Sequence, residues 1–141
     1  MSYALYLADT SAVVRILRDP DVLDRCLGVV RDGMVAVCAV TEIEHLYSAR
    51  SKADRDRQKV LLRNTFSWVV MPERVFESAD EVQDALSDRG AHRSAGTVDL
   101  LTAAAARSHG LGLLHYDADF EQIAAATGQP TRWLAKPGSI D

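Results

Sequence analysis

Apolar residues along the chain fall into two patterns. "YALYLA" (3–8), "MVAVCAV" (34–40), "WVVM" (68–71) and "LGLLHY" (111–116) are apolar at nearly every position. Continuous runs of this kind, rather than alternation, predict strands covered on both faces of a sheet. "TRWLA" (131–135) predicts a fifth strand. Between the runs the spacing is helical. "SAVVRILRD" predicts a helix with Thr10 and Ser11 as its caps. Pro20 suits the first turn of a second helix, whose apolar face is Val22, Leu23, Cys26, Leu27 and Val30. "TEIEHLYSAR" and "DRDRQKVLLRNTF" predict helical segments after the second strand. "SADEVQDALSDRG" is a polar helix ended by Gly90, and the tract Ala103 to Ala106 marks a helix packed closely on a neighbour. "DFEQIAAATG" is a short helix ended by Gly128. Strands alternating with helices predict an α/β fold: an open parallel sheet of four to five strands sandwiched between helices, as one domain over residues 1–141.

Composition narrows this further. The chain has 141 residues, 48% of them hydrophobic, enough for a packed core. No apolar run approaches the roughly 20 residues of a membrane span. The start "MSYALYLADTS" lacks the basic lead of a signal peptide, so a cytoplasmic location is expected. Cys26 and Cys38 sit among apolar neighbours and read as free thiols in a reducing compartment. His45, His92, His109 and His115 show no zinc-ligand spacing. The net charge is -4, yet "ARSKADRDRQKVLLRN" gathers Arg50, Lys52, Arg55, Arg57, Lys59 and Arg63 against Asp54 and Asp56. Such a stretch either tracks a phosphate backbone or is a solvated helix face with internal ion pairs, and the second reading is favoured.

The acids carry the chemistry. Open α/β sheets bind ligands outside the carboxyl ends of their strands, where the strand order reverses. Asp9 ends the first apolar run and Asp117 the fourth. Asp99 opens the helix before that fourth run, and Glu42 and Glu44 open the helix after the second. Residues two apart point about 200° apart around a helix, so only one of that glutamate pair can face the crevice, and spacing does not choose. Asp119 is either a further ligand or the cap of the last helix. Carboxylates gathered in a crevice repel one another and either hold protons or bind a hard cation, Mg²⁺ or Mn²⁺. Such a cation lowers the pKa of bound water and neutralises a phosphate, chemistry suited to phosphodiester hydrolysis.

These stretches together resemble the PIN-domain family, and within it the VapC toxins of bacterial type II toxin–antitoxin pairs. The likeness spans nearly the whole chain. It rests on "LADTSA", "IEHLYSAR", "VDLLTAAAA" and "HYDADFEQIA", in that order, followed by the "TG" before the last strand. The alignment selects Glu44 over Glu42. His45 departs from it, standing where the family has an apolar residue. The resemblance implies a metal-dependent endoribonuclease that leaves a 5′-phosphate. It assigns Asp9, Glu44, Asp99 and Asp117 as metal-binding catalytic acids, with Asp119 as a further ligand or water-orienting group. Thr10 and Ser11 would support the site through a metal water, or act as caps alone. It also implies RNA as substrate, a cognate VapB-type antitoxin and a homodimer formed through helical faces. Trp68 and Trp133 could stack unpaired bases, but core packing is the favoured reading for both.

Two other functions fit an α/β chain with acids at its strand ends. One is a PIN fold that binds RNA or a partner without cutting. The other is a receiver-type phosphoacceptor domain, whose Lys-Pro signature "LAKPG" resembles at Lys136. A receiver needs an acceptor Asp at the end of its third strand, where this chain has Val70 and Met71.

Overall fold

A computed structural model describes residues 4–141. Its strands are β1 (Tyr6–Ala8), β2 (Val35–Val37), β3 (Ser67–Trp68), β4 (Gly112–His115) and β5 (Thr131–Trp133). Its helices are α1 (Thr10–Arg18), α2 (Pro20–Arg31), α3 (Ala39–Tyr47), α4 (Lys52–Thr65), α5 (Val75–Asp88), α6 (Thr97–His109) and α7 (Asp119–Thr127). All four strand pairings are parallel, in the order β3-β2-β1-β4-β5. The α/β expectation holds, with five strands among the described residues. Tyr3, which begins the first predicted strand, lies outside them.

Each strand supplies both faces of the sheet in alternation. Leu7, Ala36 and Leu113 point into a core closed by α5, α6 and α7. Ala8, Val35, Val37 and Leu114 point into a second core with residues of α1, α2 and α4, including Ile16, Val22 and Leu62. This is why the strands read as unbroken apolar runs. The chain moves outward from β1 to β2 and β3, then crosses back to lay β4 on the other side of β1. The strand order therefore reverses at the β1–β4 seam, which opens a crevice at their carboxyl ends. A receiver domain has its reversal between the first and third strands, so this order excludes that reading.

Local chemistry explains the departures from expectation. Asp9, not Thr10 or Ser11, is the N-cap of α1; its side chain accepts from the Ala12 N–H. Asp and Ser are equally good caps, and the end of β1 places Asp9 first. The third strand is two residues long, not "WVVM". Val69 donates one more backbone bond to Val37, after which the chain leaves the sheet and Val70 is exposed. Trp68 is correspondingly exposed at the sheet edge, with the Arg63 guanidinium 4.9 Å from its ring centroid, so its core reading fails. Trp133 does pack inward, against His115 and Tyr116. Pro20 stands at the start of α2 as predicted, and Gly110 and Gly128 end α6 and α7 with left-handed backbones. Both cysteines are free; Cys38 is buried and Cys26 partly so. No helix among the described residues is long and apolar enough to cross a membrane.

The alanine tract behaves as close packing requires. Ala103, Ala104, Ala105 and Ala106 are all fully buried, with α6 lying along α5. Ala104→Leu should force the surrounding layers apart and lower stability by about 1–3 kcal/mol. Chemical denaturation of the variant measures this; unchanged stability would show that the α6 contact has slack.

Candidate active site

The β1–β4 seam is held together just beyond the last strand pairing. The Asp9 N–H donates to the Leu114 carbonyl (3.0 Å). Ser11 Oγ donates to Asp9 Oδ1 (2.6 Å) and accepts from the Tyr116 N–H (2.8 Å). One hydroxyl thus links the end of β1 to the end of β4. Thr10 Oγ1 donates to Glu44 Oε1, joining the start of α1 to α3. The Asp117 carboxylate accepts from the Asp119 N–H (3.0 Å) in the turn that starts α7. The Asp99 carboxylate accepts from the Gly96 N–H (3.3 Å) at the start of α6. Each acid therefore has a local structural task as well as a place at the crevice. Asp119 is the first residue of α7 and does not cap it; the residue before it is Ala118.

Electrostatics ties these groups into one site. Burial pushes the Asp9 carboxyl up to about 6, against the lowering effect of the Ser11 hydroxyl and the Ser11 and Ala12 N–H groups, with the charge of Asp99 raising it further. Asp99 is also raised, first by burial and then by the charges of Glu44, Asp117 and Asp119, while the Gly96 N–H opposes the shift. Asp99 thus lies within the field of Glu44, Asp117 and Asp119, and Asp9 within that of Asp99. Among the described residues, no Lys, Arg or His forms an ion pair with any of them. Nor do three or more His, Cys, Asp or Glu side chains already stand gathered around one point. The site is an open, anionic crevice with Asp117 and Asp119 exposed at its rim. Oxygen-only donors and an uncompensated negative field suit Mg²⁺ or Mn²⁺ and do not suit a soft metal.

Glu42 and Glu44 separate cleanly. Glu42 is buried and turned away from the crevice toward α4, where Arg63 meets it at Oε2 (2.7 Å) and Oε1 (2.9 Å). Those bonds hold its carboxyl below the usual range. Glu44 faces Thr10 and Asp99. The basic stretch is largely paired: Lys52 with Asp56 and Arg57 with Asp54 inside it, and Lys59 and Arg63 with Glu42 of α3. His45, the departure from the family pattern, is buried between α3 and α4, with Nε2 3.2 Å from Gln58 Oε1. Sequence reasoning gave His115 no role at the site and did not single out Glu121, yet His115 Nδ1 accepts from the Asp117 N–H. His115 Nε2 is 2.9 Å from Glu121 Oε1, and burial lowers the imidazole pKa against the pull of that carboxylate. A histidine ending a buried strand two residues before a crevice acid was the available signal.

The Asp9 shift has a consequence for stability. A carboxyl raised on folding binds its proton more tightly in the native state. Its contribution is complete below the unfolded value near 3.8 and is lost as pH rises through about 6. The full loss amounts to roughly 3 kcal/mol at neutral pH. In EDTA, wild type should therefore fall in stability relative to Asp9→Asn between pH 4 and 7.5. Paired urea titrations across that range check this, and a constant difference between the two proteins would contradict it.

Comparison with known proteins agrees with this fold. The PIN domain profile matches residues 6–126. Ribonuclease VapC21 of Mycobacterium tuberculosis is 41% identical over 134 residues, covering 95% of this chain and 96% of that protein. Ribonuclease VapC51 of the same organism is 40% identical over 136 residues, covering 96% and 97%. Among solved structures, a DNA-bound VapBC from Salmonella typhimurium aligns with a TM-score of 0.74 at 16% identity, covering 94% of this chain and 99% of that one. VapBC-1 from nontypeable Haemophilus influenzae aligns with a TM-score of 0.73 at 17% identity, covering 93% and 98%. By the profile match and by relatives of this identity over nearly their full length, the chain belongs to the PIN-domain family, in its VapC branch.

Proposed function

We propose that the protein is a cytoplasmic Mg²⁺-dependent endoribonuclease, the toxin of a VapBC-type pair. The observation that carries this reading is that Asp9 feels the charge of Asp99, and Asp99 those of Glu44, Asp117 and Asp119, while none of these acids forms an ion pair among the described residues. Relatives named as VapC ribonucleases support the same conclusion. A divalent ion held there would supply an activated water and charge neutralisation at the scissile phosphate. Asp9, Asp99, Asp117 and Glu44 would hold it, with Asp119 at the rim to ligate or orient a water. Ser11 keeps the Asp9 carboxylate aimed across the seam, and Thr10 does the same for Glu44. The purified chain should cut single-stranded RNA with Mg²⁺ and not in EDTA. No cleavage of any RNA, with metal bound, would favour the non-cutting RNA-binding reading.

Asp9→Asn and Asp99→Asn each remove a charge at nearly constant size. Each should lower cleavage by at least about 100-fold while keeping the fold. Glu44→Gln should behave alike. Glu42→Gln should keep most of its cleavage and instead lose about 1 kcal/mol, because its half-exposed partner Arg63 can return to water. Rates and thermal midpoints measured on the four variants separate these outcomes. Equal damage to cleavage from Glu42→Gln and Glu44→Gln would show that the helix register is misread.

The same field describes the antitoxin. A basic side chain entering the crevice would meet several carboxylates at once, and the planar fork of Arg suits them best. Leu46 of α3 is buried. The apolar surface of α3 is Ile43 (70% exposed) and Tyr47 (91% exposed), and α4 exposes Val60 and Leu61. A groove of about 240 Å³ between α1, α3 and α4 is lined by Val14, Leu17 and Leu61 together with Arg18, His45, Ser48 and Gln58. An extended antitoxin segment should lie across these helices and send an Arg or Lys to Asp9, Asp99 and Asp117 in competition with the metal. A second copy of the chain would pack on another helical face, where Phe76 is exposed beside Leu101. Replacing every basic residue of the inhibitory segment by Ala should relieve inhibition; full inhibition by that variant would refute the competition.

A further inference from the structure

We propose that His115 is a positioning residue that fixes the backbone of Asp117, with Glu121 as its anchor. His115 is fully buried at the end of β4. Its ring stacks on Phe120 (5.3 Å between centroids) and leans on Trp133 (4.8 Å), so it has no freedom to turn. Both ring nitrogens are used. Nδ1 accepts from the Asp117 N–H at 3.2 Å. Nε2 lies 2.9 Å from Glu121 Oε1, which also accepts from Thr131 Oγ1 at 3.0 Å. A backbone N–H can only donate, so Nδ1 is bare; an ionised carboxylate can only accept, so Nε2 carries the proton. The two contacts select one neutral tautomer.

The consequence falls on Asp117. Its N–H is held from below by His115, and its carboxylate is held by the Asp119 N–H. The turn that presents this acid at the rim is therefore fixed at both its backbone and its side chain. Rim acids are exposed, and an exposed side chain keeps its place only if the backbone beneath it is rigid. The chain Thr131, Glu121, His115, Asp117 runs from β5 through α7 to the crevice. It makes the packing of the last strand part of the site. This inference rests on reading Asp117 as a crevice acid of a nuclease.

Three variants of the full chain separate positioning from packing. His115→Phe keeps the ring stack and loses both nitrogens. His115→Asn places an acceptor near Nδ1 and loses the bond to Glu121. Glu121→Gln keeps an acceptor for Nε2 without the charge. Nitrogen-15 NMR of wild type should show the Nε2–H tautomer. The Asp117 amide should exchange with solvent at least about 10-fold faster in His115→Phe than in wild type, with His115→Asn between them. Mn²⁺ affinity by calorimetry, without RNA, should fall about 10-fold in His115→Phe and largely recover in His115→Asn. Cleavage should lose kcat with little change in KM, and Glu121→Gln should lie close to wild type. An Nδ1–H tautomer, or unchanged Asp117 exchange in His115→Phe, overturns the proposal. So does a loss of metal affinity that only follows loss of thermal stability across the three variants. The NMR results stand without metal or RNA. A wild-type chain with the expected tautomer and exchange that neither binds metal nor cuts RNA would sink the nuclease reading and leave the positioning of Asp117 standing.

Discussion

The parallel pairing of β1 with β4 is the constraint on which the site depends. Its register sets Leu7 beside Leu113 and Ala8 beside Leu114. One residue further on, the Asp9 N–H still reaches the Leu114 carbonyl, and Ser11 spans the seam to Tyr116. These segments are 105 residues apart at that last contact, so nothing local could bring the end of β1, with Asp9, beside the end of β4. The helices inherit the geometry. α6 returns toward the amino ends of the strands before β4, so its own start, with Asp99, must lie at their carboxyl ends. α3 leaves β2, the other neighbour of β1, at the same edge, and brings Glu44 to Thr10. A one-residue slip of β1 against β4 would exchange the two cores and turn the seam inside out.

Folding carries a cost at that seam. Desolvation and repulsion raise both Asp9 and Asp99, so the empty crevice destabilises the protein that forms it. The structure offsets part of this with backbone N–H donors from Gly96, Ala12 and Asp119 and with the Ser11 and Thr10 hydroxyls. It does not offset it with Arg or Lys, although the chain has sixteen of them. Where a carboxylate is structural the solution is different: Glu42, on the same helix as Glu44, has two cations. Within one helix, then, Glu42 is neutralised by its partners while Glu44 forms no ion pair among the described residues.

Most of the architecture was legible because continuous apolar runs admit few arrangements. The five strands, the Pro20 start and the glycine helix ends follow from local rules. β3 was overread because "WVVM" has strand character, while an edge strand pairs on one side only and Pro72 follows at once. Thr10 and Ser11 were read as caps by residue type, when Asp9, already identified as the end of β1, fills that role. The choice of Glu44 over Glu42 was out of reach of spacing, because it turns on Arg63, 21 residues away. The basic stretch was legible as self-paired from its own i,i+4 and i,i+3 spacing. The His115 network was not, since Thr131, Glu121 and Asp117 meet only when β5 pairs with β4.

A crevice balanced by no internal cation has a further property. Any positive group that enters it relieves the same repulsion, whether a divalent ion or a guanidinium. Cofactor and inhibitor would then draw on one electrostatic deficit, and each would stabilise the fold by what the empty site lacks. The two differ in reach. An ion satisfies the acids and leaves the apolar flank of α3 and α4 open, with Ile43 and Tyr47 in water. A protein segment can satisfy the acids and cover that flank together. Apolar burial would then add the affinity that lets a basic side chain hold its place against a divalent ion. On the proposed function, control of the site would draw on two surfaces, the charge deficit at the β1–β4 seam and the uncovered helix face beside it.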